Sequence, residues 1–131
     1  MKIGVDTNVL VRFLMGDDKR QSVAADAALS KADGVMISVS ALCELVWVLQ
    51  QGYGVERGDI LNAITVLISS DNVVIDLPIV EAGLAVLKAG GDFADGVIAF
   101  DGFKLGAEEF VSFDKKAIKL AHVHGKLARL I

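Results

Sequence analysis

The chain has one cysteine, one proline and no long hydrophobic run, and each scarcity excludes a class of protein. Because Cys43 has no second cysteine to pair with, neither a disulfide framework nor a zinc finger is expected. The single proline and the 53% share of apolar residues argue against collagen-like and disordered character. The longest apolar run, 45–49, is far shorter than the roughly 20 residues that cross a bilayer.

The length of 131 residues is about that of one domain, so we predict a single domain over residues 1–131. A domain of this size buries roughly two-thirds of the surface that its unfolded chain exposes, so it needs no disulfide for stability. No secretory signal is recognisable after Lys2. We therefore expect a cytoplasmic protein that does not associate with a membrane.

Short apolar segments alternate along the chain with segments of helical periodicity. The apolar segments predict strands at 2–5, 35–38, 73–77, 109–112 and 127–131. The periodic segments predict helices at 7–15, 17–31, 40–50, 55–69, 78–89, 92–105 and 115–121, with Ser40 as the N-cap of the third. This alternation predicts an α/β fold in three α/β/α layers, with a central, mostly parallel sheet of four to five strands.

Acidic residues stand where predicted strands end and helices begin. Asp6 ends the first strand, Asp114 follows the fourth, and Asp92 and Asp95 open a helix. Each of them could simply cap its helix, with Asp92 and Asp95 arranged like a capping box. Ligands of parallel α/β sheets nevertheless collect outside the carboxyl ends of the strands, so these acids are also candidates for a functional site.

Glu44 is the only charged residue between Ala41 and Gln51, in a helix whose circumference is mostly apolar. Such helices are usually buried, and a buried carboxylate without a partner costs several kcal/mol or becomes protonated. A solvated charge on an otherwise buried helix is the simpler interpretation. A carboxylate that binds a ligand at the edge of a cleft fits the pattern better.

Four carboxylates converging at one sheet edge would repel each other, by on the order of 4 kcal/mol for a pair about 4 Å apart at an effective dielectric constant near 20. Such a group persists around a cation or with raised pKa values. Oxygen ligands without histidine or cysteine favour Mg²⁺ or Mn²⁺. Because Mg²⁺ commonly binds carboxylates together with substrate phosphates, the pattern indicates phosphoryl chemistry.

The motifs at 3–10, 40–49, 92–99 and 111–114 together resemble the PIN-domain ribonucleases, most nearly the VapC-type toxins of type II toxin–antitoxin pairs. The resemblance spans nearly the whole chain, in the order and spacing of the family. It implies that the catalytic and metal-binding acids are Asp6, Glu44, Asp95 and Asp114. It also implies accessory roles for Asp92, Thr7, Asn8 and Ser112. Gly96 departs from the alanine that similar toxins usually carry after the third acid.

The resemblance implies a Mg²⁺- or Mn²⁺-dependent endoribonuclease in which a metal-activated water hydrolyses RNA phosphodiester bonds, leaving 5′-phosphate and 3′-hydroxyl ends. It further implies a small cognate antitoxin as partner and a homodimer. Two alternatives stay open: a catalytically weak PIN-like domain that binds RNA or protein, and a Mg²⁺-dependent phosphatase-like α/β domain. Asn8 argues against the phosphatase, which would place a second aspartate two residues after the first.

The net charge of −4 argues at first against a nucleic-acid partner, but the charge is unevenly distributed. Residues 104–131 hold six basic residues against three acids, whereas residues 1–103 hold seven against fourteen. Five of the acids belong to the predicted site, so the basic tail could help to position RNA, or it could be an ordinary solvated surface. Among other residues, Trp47 and Cys43 are expected in the core, and Asp101 is expected to face solvent.

Overall fold

The computed structural model describes all residues 1–131 and divides the chain into two compact units, Met1–Asp76 and Leu77–Ile131. The elements of the first unit are β1 (Lys2–Gly4), α1 (Thr7–Met15), α2 (Lys19–Lys31), β2 (Gly34–Met36), α3 (Val39–Trp47), a π-helical segment (Val48–Gly52), α4 (Arg57–Ile68) and β3 (Val73–Val74). The elements of the second are α5 (Leu77–Lys88), α6 (Phe93–Lys104), β4 (Phe110–Ser112), α7 (Lys115–Val123) and β5 (Ala128–Leu130).

The first unit contains a parallel sheet in the order β1-β2-β3. Ile3 lies opposite Val35, and Val35 lies opposite Val73. The helices bury apolar side chains at helical spacing; the members that are fully inaccessible to solvent are Leu10, Leu42, Leu45, Ile60 and Ile64. Because β1 and β2 run in the same direction, the segments that follow them, Asp6 and Ser38 included, leave the sheet at the same edge.

The second unit contains a two-stranded parallel sheet, in which Phe110 of β4 lies opposite Ala128 of β5. Parallel strands need a crossover connection, and α7 supplies it. Ile118 and Ala121 of α7 pack with Ala128 to form a small apolar cluster, against which Phe110 also packs. This packing fixes the start of α7, where Asp114 lies.

The α/β class and the parallel strands predicted from the sequence are confirmed. The five strands form sheets of three and two strands, which do not confirm one central sheet of four to five strands in three layers. That arrangement and the single domain over 1–131 stay predictions. No helix has both the length and the apolar character needed to cross a membrane.

The prediction that Ser40 caps the third helix was wrong. The N-cap is Ser38, whose side-chain oxygen accepts a hydrogen bond from the Ala41 backbone N–H at 3.1 Å. Since β2 already ends at Met36, the serine two residues after the strand satisfies an orphan donor of the first helical turn, and Ser40 lies inside the helix.

Candidate active site

Asp6 follows β1 and is the N-cap of α1. Its carboxylate accepts a hydrogen bond from the Val9 backbone N–H at 3.2 Å, so the capping role considered from the sequence is present. Thr7 is buried, and its hydroxyl donates to the carbonyl of Ala41 at 3.5 Å. This contact places the start of α1 beside the first turn of α3, the helix that carries Glu44. Asn8 is exposed beside Asp6.

Glu44 is exposed, although the residues flanking it in α3 are buried. Ala41, Leu42, Leu45 and Val46 supply the buried surface, so only a narrow strip of this apolar helix reaches solvent. The carboxylate of Glu44 has no hydrogen bond or ion pair in the structure and is accessible to a ligand. This exposure agrees with both interpretations considered from the sequence, a solvated charge and a carboxylate that binds a ligand at the edge of a cleft.

Trp47 lies on the same strip, one helical turn after Glu44, and 64% of its surface is exposed. The prediction that it packs in the core was wrong, because the core face of α3 is already filled by smaller aliphatic side chains. Cys43 is half-buried, and this partial desolvation raises the pKa of its thiol. Asp101 faces solvent, as predicted.

Asp92, Asp95 and Asp114 form an acidic group in the second unit. Asp92 is the N-cap of α6, but its side chain makes no capping hydrogen bond, so the predicted alternative of a capping box is not formed. Asp95 is half-buried in the first turn of the same helix. Desolvation, followed by the negative charges of Asp92 and Asp114, raises the pKa of Asp95 above its ordinary value.

Asp114 is the N-cap of α7, and its carboxylate accepts hydrogen bonds from the N–H groups of Lys116 at 2.9 Å and Ala117 at 3.2 Å. The hydroxyl oxygen of Ser112 accepts a hydrogen bond from the Asp114 N–H at 2.9 Å. Ser112 thus holds the backbone segment that carries Asp114, and its role beside a catalytic carboxylate stays a prediction.

The donor chemistry of these acids fits a hard divalent cation, because every donor is a carboxylate oxygen. No group of three or more acidic, histidine or cysteine side chains is close enough in the structure to enclose an ion on its own. The second unit brings Asp92, Asp95 and Asp114 within electrostatic range. The first unit brings the segment that carries Asp6 into contact with the helix that carries Glu44.

An apolar cavity of about 170 Å³ lies beside Asp95 in the second unit, among α5, α6, α7 and β4. Gly96 also lines it, and a Cβ atom there would lie 2.5 Å from the carbonyl oxygen of Ala82. The glycine that departs from the pattern of similar toxins therefore permits the close approach of α5 to α6. It leaves all the predicted acids in place.

Sequence reasoning missed a cluster around Arg12 in the first unit. The guanidinium of Arg12 binds Asp17, Gln21 and Tyr53, and Arg12 lines a groove together with Asp6. A signal was available, since Arg12 is the only charged residue in 7–15, as Glu44 is in its own helix. Its partners were not predictable, because Tyr53 lies far away along the chain.

Comparison with known proteins gives a consistent result. The family model described as the PIN domain matches residues 3–123. A VapC ribonuclease of Aquifex aeolicus (strain VF5) is 29% identical to this chain over 121 residues, which cover 88% of the chain and 90% of that protein. These findings confirm the resemblance indicated by the four sequence motifs.

Proposed function

This chain belongs to the PIN domain family, and from that premise we propose that it is a metal-dependent endoribonuclease, the toxin of a toxin–antitoxin pair. The similarity to a VapC ribonuclease over most of both chains supports this function. The observation that carries it is that the starts of α6 and α7 bring the half-buried Asp95 within electrostatic range of Asp92 and Asp114. Such uncompensated negative charge is typical of a site that binds a cation.

The proposed metal-binding and catalytic residues are Asp6, Glu44, Asp95 and Asp114. Bound there, Mg²⁺ or Mn²⁺ would lower the pKa of a water molecule and neutralise charge that develops on the phosphodiester. Asp92 adds negative charge beside Asp95, and Ser112 holds the backbone of Asp114. Thr7 ties the Asp6 segment to α3, and Asn8 is a polar neighbour open to solvent.

The remaining parts of the proposal follow from the family. We propose a single PIN-like domain over residues 1–131 that acts as a homodimer in the cytoplasm. Its substrate is RNA, and a small cognate antitoxin inhibits it. Hydrolysis leaves 5′-phosphate and 3′-hydroxyl ends.

The test is cleavage of labelled RNA by purified protein, freed of any inhibitor by unfolding and refolding, in Mg²⁺, in Mn²⁺ and in EDTA. We expect cleavage with either metal and none in EDTA. Asp6→Asn and Glu44→Gln should each lower the cleavage rate at least about a hundredfold, because even outer-sphere partners of a metal are worth about 10- to 100-fold. Asparagine also caps helices, so Asp6→Asn should fold.

Asp101→Asn is the matched control, since it removes an exposed carboxylate on α6 outside the predicted site. Its rate should equal that of the unmodified protein. Absence of cleavage in both metals would contradict the enzymatic function and favour a PIN-like domain that only binds. Full activity of Asp6→Asn or Glu44→Gln would remove that residue from the site.

A further inference from the structure

A groove of about 370 Å³ lies between α1 and α2 in the first unit. One wall carries Asp6, Asn8, Val9 and Arg12 of the first helix and its N-cap; the other carries Gln21, Ala24, Ala25 and Ala28 of the second. The alanines leave the groove open, and its only charged side chains are those of Asp6 and Arg12. The groove therefore contains both Asp6, a proposed metal-binding residue, and the positive charge of Arg12.

The guanidinium of Arg12 is held by three side chains. Its Nε donates to Oε1 of Gln21 at 2.6 Å, and its Nη1 donates to Oδ1 of Asp17 at 3.0 Å and to the hydroxyl of Tyr53 at 3.2 Å. The Tyr53 hydroxyl donates in turn to Oδ2 of Asp17 at 2.7 Å. An arginine has five N–H donors, and the two on Nη2 make no hydrogen bond in the structure.

We infer that this groove is a phosphate-binding subsite for the RNA substrate, in which Arg12 binds a phosphate flanking the cleaved bond. The inference rests on the proposed function, because it takes Asp6 as part of the cleavage site. Arg12 lies six residues after Asp6, about 9 Å along the helix axis at 1.5 Å per residue. A chain that is cut beside Asp6 and continues along the groove would pass the Arg12 side chain, which lines the same groove.

The two Nη2 N–H donors of Arg12 that make no hydrogen bond suit a phosphate ligand. A guanidinium is planar and always charged, and each of the two N–H groups on Nη2 can donate a charge-assisted hydrogen bond to a phosphate oxygen. The clamp by Gln21, Asp17 and Tyr53 fixes the orientation of the guanidinium before substrate binds, so less side-chain entropy is lost on binding. Asp17 offsets the charge of Arg12, which makes the subsite weaker than an isolated arginine would be.

A purely structural role makes a different prediction. Arg12→Gln and Asp17→Asn both break the same ion pair. If the pair serves only to hold the fold, both substitutions should change RNA binding by similar amounts. If Arg12 binds phosphate, Arg12→Gln should weaken binding clearly more than Asp17→Asn, because Asp17→Asn loosens the clamp but keeps the charge and the N–H donors of the guanidinium.

The experiment measures binding of a labelled, random-sequence, single-stranded RNA pool in Mg²⁺, in a Glu44→Gln background that prevents cleavage. Arg12→Gln should raise the Kd about tenfold, the lower end for a hydrogen bond to a charged group. The slope of log K against log salt should become smaller by about 0.7, the value for one phosphate contact on a single strand. Arg20→Gln and Asp26→Asn, at exposed positions of α2, are the controls for net charge.

Ala24→Glu is a second variant for the case that Arg12→Gln does not fold. Ala24 is exposed on α2 and lines the groove, and glutamate is a good helix former. A negative charge there should weaken binding, and Ala24→Lys should tighten it. Unchanged binding in both Ala24 variants would overturn the subsite.

The outcomes separate the two proposals. Equal Kd values and salt slopes for Arg12→Gln and Arg20→Gln would overturn the subsite, as would equal weakening by Arg12→Gln and Asp17→Asn. Cleavage by the unmodified protein would in either case leave the proposed function standing. Failure of the Glu44→Gln protein to bind RNA, with no cleavage by the unmodified protein, would overturn both.

Discussion

The two units each join a pair of helices next to predicted site acids, but they do so by different means. In the first unit, α1 and α2 are linked by polar contacts, with Arg12 bound to Gln21 and Ser22 donating to the Arg12 carbonyl at 2.9 Å. In the second, α5 and α6 approach so closely that Gly96 has no room for a Cβ atom. The first pair leaves an open groove that contains the charged side chains of Asp6 and Arg12, and the second leaves an apolar cavity beside Asp95.

The two units also contain acidic residues with opposite electrostatic surroundings. Asp17 receives a hydrogen bond from Tyr53 and pairs with Arg12, and these contacts hold its pKa below the ordinary value despite partial desolvation. Asp95 is desolvated and faces two further carboxylates, which raise its pKa. A carboxylate that is compensated by a hydrogen-bond donor and a positive charge stabilises the fold. An uncompensated carboxylate is repelled by its acidic neighbours, and a bound cation reduces that repulsion.

The largest difference between the two kinds of acid is expected in the rate of RNA cleavage. We expect Asp95→Asn to lower the rate of RNA cleavage at least about a hundredfold, as for the other proposed metal-binding acids. Asp17→Asn should lower it far less, because Asp17 lies outside that set. Rates measured under identical Mg²⁺ concentrations decide the point. Similar losses in both variants would break the distinction between compensated and uncompensated acids.

The next effect concerns the close packing of α5 against α6. Gly96→Ala should lower the free energy of unfolding by about 1–3 kcal/mol, because the new methyl group would press on the Ala82 carbonyl and on Val86. Gly102→Ala, in the same helix, meets nothing within 4 Å and should raise stability by up to about 1 kcal/mol. Urea denaturation of both variants measures the difference. Stabilisation by Gly96→Ala would contradict tight packing.

The smallest effect is the pH dependence of stability in metal-free protein. Because the folded pKa of Asp95 is raised, its neutral form favours the fold at low pH, and this stability is lost as pH rises through the folded pKa. Asp95→Asn should therefore be more stable than the unmodified protein at pH 7, by less than about 1 kcal/mol after solvent screening, and equally stable at pH below about 3.8.

Asp17 should behave in the opposite way. Its folded pKa is lowered, so the charged carboxylate stabilises the fold above the unfolded pKa, and this stability is lost as pH falls through the folded pKa. Asp17→Asn should destabilise the protein at pH 7 and have no effect in strong acid. Melting temperatures from pH 3 to pH 8 would show whether the two variants differ in sign; the same sign in both would refute the electrostatic contrast.

Much of the fold could be predicted from local patterns. Asp6 and Asp114 lie after strands and cap helices, as their positions indicated, and the helices begin and end close to the predicted residues. Errors arose where two local signals competed. Ser38 and Ser40 are both good N-caps, and only the end of β2 selects the first. The apolar composition of α3 did not indicate which side of the helix would be exposed.

The sequence by itself determined the α/β class and the order of the acids, because periodicity and residue spacing act within a few residues of the chain. The tertiary structure alone decided which of these groups are compensated. Tyr53 reaches Asp17 and Arg12 across a long stretch of chain, and Asp114 comes near Asp95 in the same manner. Desolvation and Coulomb interaction depend on distance in space, so only the folded chain raises the pKa of Asp95 and leaves two N–H donors of Arg12 without a hydrogen bond.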